Sequence, residues 1–279
     1  MANPDTAAII YGLFSALSWG AGDFSGGFVT RSGSVWGVLF IGYIFSVFLL
    51  SLSALWLGGP VPDLFSLAAG SLAGITGLIG LAALYKGLAG GQMGIVAPIA
   101  AVTTAALPIL LGTFMEGFPS SLQMTGFIIA LAAIWLSSAA EKSQGFQWRQ
   151  ISLPITAGIF LGISLILVDQ AAEQSVLWSL VANRIAGIAV LMLLVFRKGR
   201  MPPKSNYPII CLAAIFDTGG YTFYALAAGT GRLDTSAVLA CMYPATTVML
   251  AWLLLKERLS GPQWIGVIAA FTAIALIAA

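Results

Sequence analysis

The chain contains no histidine and only two cysteines in 279 residues, and charged side chains make up just 8% of it. Histidine is the side chain that most readily changes charge near neutral pH and the commonest metal ligand, so histidine-based catalysis and histidine proton relays are excluded. Cys211 and Cys241 each fall inside a long apolar run. That reads as two buried thiols, not a disulfide framework, and leaves the redox compartment open. The shortage of charge goes with 59% hydrophobic residues, a balance outside the range of soluble domains. Lipid must be the main solvent of this chain.

A membrane span needs roughly 20 apolar residues, and backbone exposed to lipid must satisfy its own hydrogen bonds. Runs this long are therefore helices; the short alternating strands of a barrel do not occur. The hydropathy pattern predicts spans near 7–29, 35–57, 65–88, 93–115, 120–140, 152–172, 176–196, 207–229, 234–255 and 261–279. The expected class is an all-α integral membrane protein of ten transmembrane helices. The N-terminus Met-Ala-Asn-Pro-Asp carries no basic leader, so the first span is expected to stay attached.

The second half repeats the first. The segment from Tyr85 through Glu116 to Gly126 runs parallel to that from Tyr224 through Glu257 to Gly266, with long apolar spans on both sides of each glutamate. Upstream, Gly12, Phe14, Ser18 and Asp23 match Gly158, Phe160, Ser164 and Asp169. This divides the chain into a five-helix repeat at 1–140, a polar linker at 141–150 and a second five-helix repeat at 151–279. Duplicated bundles build a substrate site where their halves meet, near the middle of the membrane.

Joints such as Gly58-Gly59-Pro60, Gly117-Phe118-Pro119 and Ser260-Gly261-Pro262 stop helices and turn the chain. Along alternate joints, one side collects Arg31, Lys142, Arg149, Arg197, Lys198, Arg200, Lys204, Lys256 and Arg258, and the other holds only Arg232. The positive-inside rule makes the basic side cytoplasmic and sends both termini outside. Glycines within spans, among them Gly70, Gly74, Gly77 and Gly80, let helix backbones approach closely, either for fixed packing or for one helix to rock on another.

Charged groups inside spans are costly and must face a partner or a watery cavity. The candidates are Asp23, Lys86, Asp169, Arg184 and Asp217, with Glu173 near a span end. For Arg184 the two readings are a fixed salt bridge to Asp169 or Asp23 and a cationic site for a substrate carboxylate. Asp23 and Asp169, at equivalent places in the repeats, are either structural or coupled to proton movement. Lys86 is by default an interfacial lysine. Asp217, Tyr221 and Tyr224 fall at the i, i+4, i+7 spacing of one helical face, which suits a cavity wall better than a lipid face. Pro98 and Pro108 in the fourth span and Pro244 in the ninth interrupt backbone hydrogen bonding and predict helix bends whose freed carbonyls can line a cavity.

Tyr243-Pro244, the run Leu-Leu-Leu-Lys-Glu-Arg-Leu-Ser ending at Ser260, and Gln263-Trp264-Ile265-Gly266 resemble the drug/metabolite transporter superfamily, in particular its EamA-type exporters. Over its spans the chain is most similar to the YddG-type aromatic amino acid exporters. The resemblance implies a basket of ten helices around a central cavity, no organic cofactor, and export of amino acids or related metabolites across a bacterial inner membrane. Related exchangers of sugar phosphates and nucleotide sugars keep their termini in the cytoplasm, opposite to the charge count.

The expected function is a secondary transporter that exports amino acids, aromatic and other neutral ones, or related small metabolites by alternating access. Expected cavity residues are Trp19, Tyr85, Asp217, Tyr221, Tyr224 and Tyr243, with Trp178 and Asn183; Asp23, Asp169, Arg184 and Lys86 are the candidates for coupling or an internal ion pair. Aromatic rings would stack on the substrate and polar groups would hold its charged ends. The alternatives are a passive channel and an integral membrane enzyme; the scattered acids and missing histidine speak against the enzyme. The expected partners are the small solute and lipid, not nucleic acid, and one chain suffices to enclose a cavity.

Overall fold

The structure, a computed structural model, describes residues 4–57, 60–89, 93–137, 148–198, 201–255 and 260–278. No strand forms among them. The helices are α1 (Pro4–Thr30), α2 (Val35–Leu57), α3 (Leu64–Ala89), α4 (Met93–Glu116), α5 (Ser121–Ser137), α6 (Trp148–Ala172), α7 (Val176–Lys198), α8 (Tyr207–Ala228), α9 (Leu233–Ala240), α10 (Tyr243–Leu255) and α11 (Gly261–Ala278), with a single 3-10 turn at Lys204–Asn206 before α8. Five segments, Val35–Leu57, Leu64–Ala89, Ser152–Ala172, Val176–Val195 and Lys204–Ala228, are long and apolar enough to cross a membrane. Large apolar side chains such as Trp56 and Phe114 stand 86% and 88% exposed, a surface suited to lipid. Residues 141–147 of the expected linker lie outside the described residues, as do Gly58, Gly59, Gly90, Gly91, Lys142, Arg200, Lys256, Glu257 and Arg258.

One expected span is not a single helix. The run 234–255 divides into α9 and α10, with Cys241 and Met242 in a turn between them. Pro244 is the cause: it has no N–H to return to the Ala240 carbonyl, and its ring crowds that carbonyl. The chain instead closes α9 with Cys241 N–H on Ala237 O and Met242 N–H on Leu239 O. The fourth span, which holds Pro98 and Pro108, is continuous helix; Pro108 is buried within it, and the side chain of Pro98 is outside the described set.

The halves cross each other. α1 lies along α8 and against α9 and α10, while α6 lies along α3 and against α4; α2 packs on α7, and α5 on α11. Lipid offers no hydrophobic drive between helices, so close backbone approach and interhelical hydrogen bonds must hold such a bundle. A Cβ at Gly70 would stand 2.7 Å from the Ser179 carbonyl, and one at Gly74 would collide with the Asn183 carbonyl, so α3 and α7 touch backbone to backbone. Ser15 Oγ on α1 donates to Gly220 O on α8 (2.8 Å), and Ser164 Oγ on α6 donates to Ala73 O on α3 (2.9 Å). Bonds of this kind contribute about 0.6 kcal/mol each in membrane interiors.

Candidate functional site

The deepest charges meet between α7 and α8. Asp217 lies ten residues into α8 and Arg184 eight residues into α7, which places each about 12–15 Å from a helix end and near the centre of the hydrocarbon. Arg184 Nη2 donates to Asp217 Oδ2 at 2.7 Å. The arginine side chain is 1% exposed and the aspartate 13%. The guanidinium also lies over two tyrosine faces, 4.6 Å from the ring centre of Tyr43 and 4.7 Å from that of Tyr221, an arrangement that attracts a desolvated cation. Asp217 and Tyr221, four residues apart on one face of α8, thus grip the same cation. Nε and Nη1 of Arg184 and both amide atoms of Asn183 are buried without a hydrogen-bond partner.

The salt bridge expected between Arg184 and Asp169 or Asp23 is therefore made with Asp217 instead. Asp169 sits half-buried in the last turn of α6, toward the end of its helix. Asp23 is buried on α1, within electrostatic reach of Asp217, where Gly22 brings the two backbones together: a Cβ on it would stand 3.3 Å from Asp217 N. The two aspartates that match in sequence thus have unequal surroundings. Lys86 is exposed, with Nζ 4.5 Å above the Trp36 ring, and takes no part in the buried cluster.

Beside the ion pair a cleft runs between α1, α2, α3 and α8, lined by Gly26, Tyr43, Ser46, Tyr85 and Asp217 among others. Its lining also includes Val38 and Ile210, in the first turns of α2 and α8, and its void is water-sized. Ser46 Oγ accepts from Thr218 Oγ1 at 2.8 Å. Tyr85 is seated against Gly26, where a Cβ would overlap the phenol.

The other expected aromatic residues form a packed wall. Trp19 meets Tyr221 edge-on at 5.2 Å and Tyr224 at 5.9 Å. Gly220 lies directly under the Trp19 indole. The hydroxyl of Tyr224 donates to Leu165 O (3.2 Å), and that of Tyr221 pairs with Ser164 Oγ (3.4 Å). Tyr243 is buried beside the α9–α10 break with its hydroxyl unpartnered, and Trp178 packs on the same core half-buried. Sequence reasoning did not single out Tyr43, Ser46 or Thr218. The signal it passed over is Gly42-Tyr43 in the middle of α2, which has the glycine–tyrosine form of Gly220-Tyr221.

A second charged cluster joins α4 to α9. Arg232 Nε and Nη2 donate to the two carboxylate oxygens of Asp234 (3.1 and 2.8 Å), and Nη2 also donates to Gly117 O at 2.8 Å. Asp234 is wholly buried and also accepts from Thr235 N–H. A Cβ on Gly112 of α4 would be 3.1 Å from Asp234 Cβ, so the end of α4 and the start of α9 are in firm contact. Outside the spans, Asp63 accepts the Ser66 N–H at 2.8 Å and caps α3; that bond holds its carboxyl below the ordinary aspartate pKa. Among the described residues no group of acidic and sulfur side chains gathers that could hold a metal ion.

The model of the EamA-like transporter family matches residues 148–279, the stretch from α6 to the end of the chain. A protein solved by crystallography shares the fold with a TM-score of 0.75 at 16% identity, over 99% of this chain and 96% of the other. No curated protein matches the sequence.

Proposed function

We propose that this multi-pass membrane protein is a secondary transporter of the drug/metabolite transporter superfamily, of the YddG-like kind, exporting amino acids or related small metabolites by alternating access. It has ten spans, with α9 and α10 together making the ninth, arranged as two five-helix repeats around a central site in a bacterial inner membrane. The family match over residues 148–279 supports a transporter of small solutes. The observation that carries the reading is the crossed packing of the halves around buried charge. α1 on α8 mirrors α6 on α3, and α4 on α6 mirrors α9 and α10 on α1, as expected for inverted repeats that share one mid-membrane site. At that junction lie Asp23, Arg184, Asp217 and the wall of Trp19, Tyr221, Tyr224 and Tyr243.

The division of labour follows from the chemistry. The aromatic wall presents ring faces to an apolar or aromatic side chain, and the buried charges answer the polar ends. Its closed packing and water-sized cleft fit an occluded stage of the cycle, in which the rings must part to admit a solute. The deciding experiment is release of radiolabelled amino acids from liposomes that contain the purified protein, with and without a proton gradient. Saturable release supports the carrier, and its response to the gradient decides on coupling. Flux that never saturates would instead mean a channel, and no flux for any amino acid would refute the solute class.

A further inference from the structure

Arg184 and Asp217 form an unusual ion pair for a membrane interior because it is incomplete. The pair rests on one short hydrogen bond, although a guanidinium carries five donors and a carboxylate can take two in parallel. Nε and Nη1 of a fully buried arginine have no acceptor, and the preceding residue, Asn183, uses neither its amide oxygen nor its amide nitrogen. The rings of Tyr43 and Tyr221 attract the charge but leave those N–H groups unused. A purely structural bridge would be expected to fill them, since unpaired buried donors are costly. The aspartate, in contrast, is the partly open member of the pair and lines the cleft together with Tyr43, Tyr85 and Ser46.

We propose that the Arg184–Asp217 pair is the receptor for the charged ends of the substrate: it opens to admit a zwitterion, whose carboxylate takes the free donors of Arg184 and whose ammonium is held by Asp217 between the faces of Tyr43 and Tyr85. This rests on the carrier reading above. Charge balance selects the zwitterion. Placed within the pair it gives each buried charge an opposite neighbour and leaves the total unchanged. A simple anion would displace Asp217 without replacing its counter-ion, and a simple cation would do the same to Arg184; both leave net charge in a medium that penalises it. No new bond forms and no proton has to move for this exchange of partners.

The test is equilibrium binding of three labelled compounds with one side chain to the purified full-length protein in detergent: phenylalanine, its methyl ester and 3-phenylpropionate. Wild type should bind the amino acid at least about tenfold more tightly than the cationic ester or the anionic acid. Asp217→Asn should reverse the order in favour of the acid, and Arg184→Met should abolish the preference for the amino acid over the ester. A structural ion pair would weaken all three compounds alike. Equal binding of all three by wild type overturns the proposal even if neither variant folds, and assigns the free donors to water. Saturable phenylalanine flux together with equal binding would leave the carrier standing and remove only this site. No binding of phenylalanine, with no flux of any amino acid, removes both.

Discussion

Cutting the Arg184–Asp217 bridge from its two ends should have unequal costs. In Asp217→Asn a guanidinium that is 1% exposed keeps its charge, because arginine does not release its proton in proteins. Removing one partner of a buried pair typically costs about 3–5 kcal/mol, and this case belongs at the upper end. In Arg184→Met the group left behind is a carboxyl that is 13% exposed beside the cleft. It can take up a proton, and its cost then falls to that of a poorly satisfied neutral polar group, about 1–3 kcal/mol. At about 2 °C per kcal/mol for a chain of this size, Asp217→Asn should lower the unfolding midpoint by about 8–10 °C and Arg184→Met by about 2–6 °C. The double variant should recover most of the loss, since no charge is left unpaired. Thermal unfolding of the detergent-solubilised proteins, followed by tryptophan fluorescence, measures all three. Equal losses for the single variants, or losses that simply add in the double variant, would refute an uncompensated arginine as the source of the cost.

Three further outcomes follow from other contacts. Gly74→Ala pushes a methyl group into the Asn183 carbonyl and should cost about 1–3 kcal/mol, whereas Gly261→Ala, with nothing within 4 Å, should be neutral; equal midpoints for the two would refute the close α3–α7 contact. Arg232→Ala releases the start of α9 from Gly117, so in a protein with Cys211 and Cys241 replaced by serine, a cysteine introduced in place of Thr235 should react faster with a water-soluble maleimide in that background. An unchanged rate would mean that the contact with α4 does not depend on the arginine. Since the folded Asp63 carboxyl is held below its ordinary value, its cap stabilises α3 above about pH 4 and is lost as the pH falls through the folded value. The gap in unfolding midpoint between wild type and Asp63→Ala should therefore be full at neutral pH and close in acid.

Five of the expected spans were legible because lipid imposes their length, and the face shared by Asp217 and Tyr221 was legible because helical spacing imposes it. The partner of Arg184 was not. Pairing between helices depends on which faces meet, and Asp169 and Asp23, equivalent in sequence, differ in depth: one lies in the last turn of its helix and the other is buried against α8. Proline was an ambiguous sign. Pro108 sits within an unbroken α4, while the helix before Pro244 stops four residues ahead of it, at Ala240, and the same missing N–H is present in both. Tyr43 escaped notice because a single tyrosine in an apolar span has no periodic partner to mark it. Arg232 registered only as a lone charge in a topology count; its bond to Gly117 is a long-range contact that no local pattern announces.

The break at Cys241 and Met242 has an electrostatic consequence of its own. α9 is only eight residues long, about 12 Å, so its carbonyl end and the amide end of α10 meet inside the protein, with Cys241 and Met242 buried between them. The two ends set partial charges of opposite sign side by side, negative on α9 and positive on α10. Polarity is therefore built into the backbone at this point, next to the free hydroxyl of Tyr243. It belongs to the main chain, so it outlasts changes to the neighbouring side chains for as long as Pro244 keeps the two helices apart.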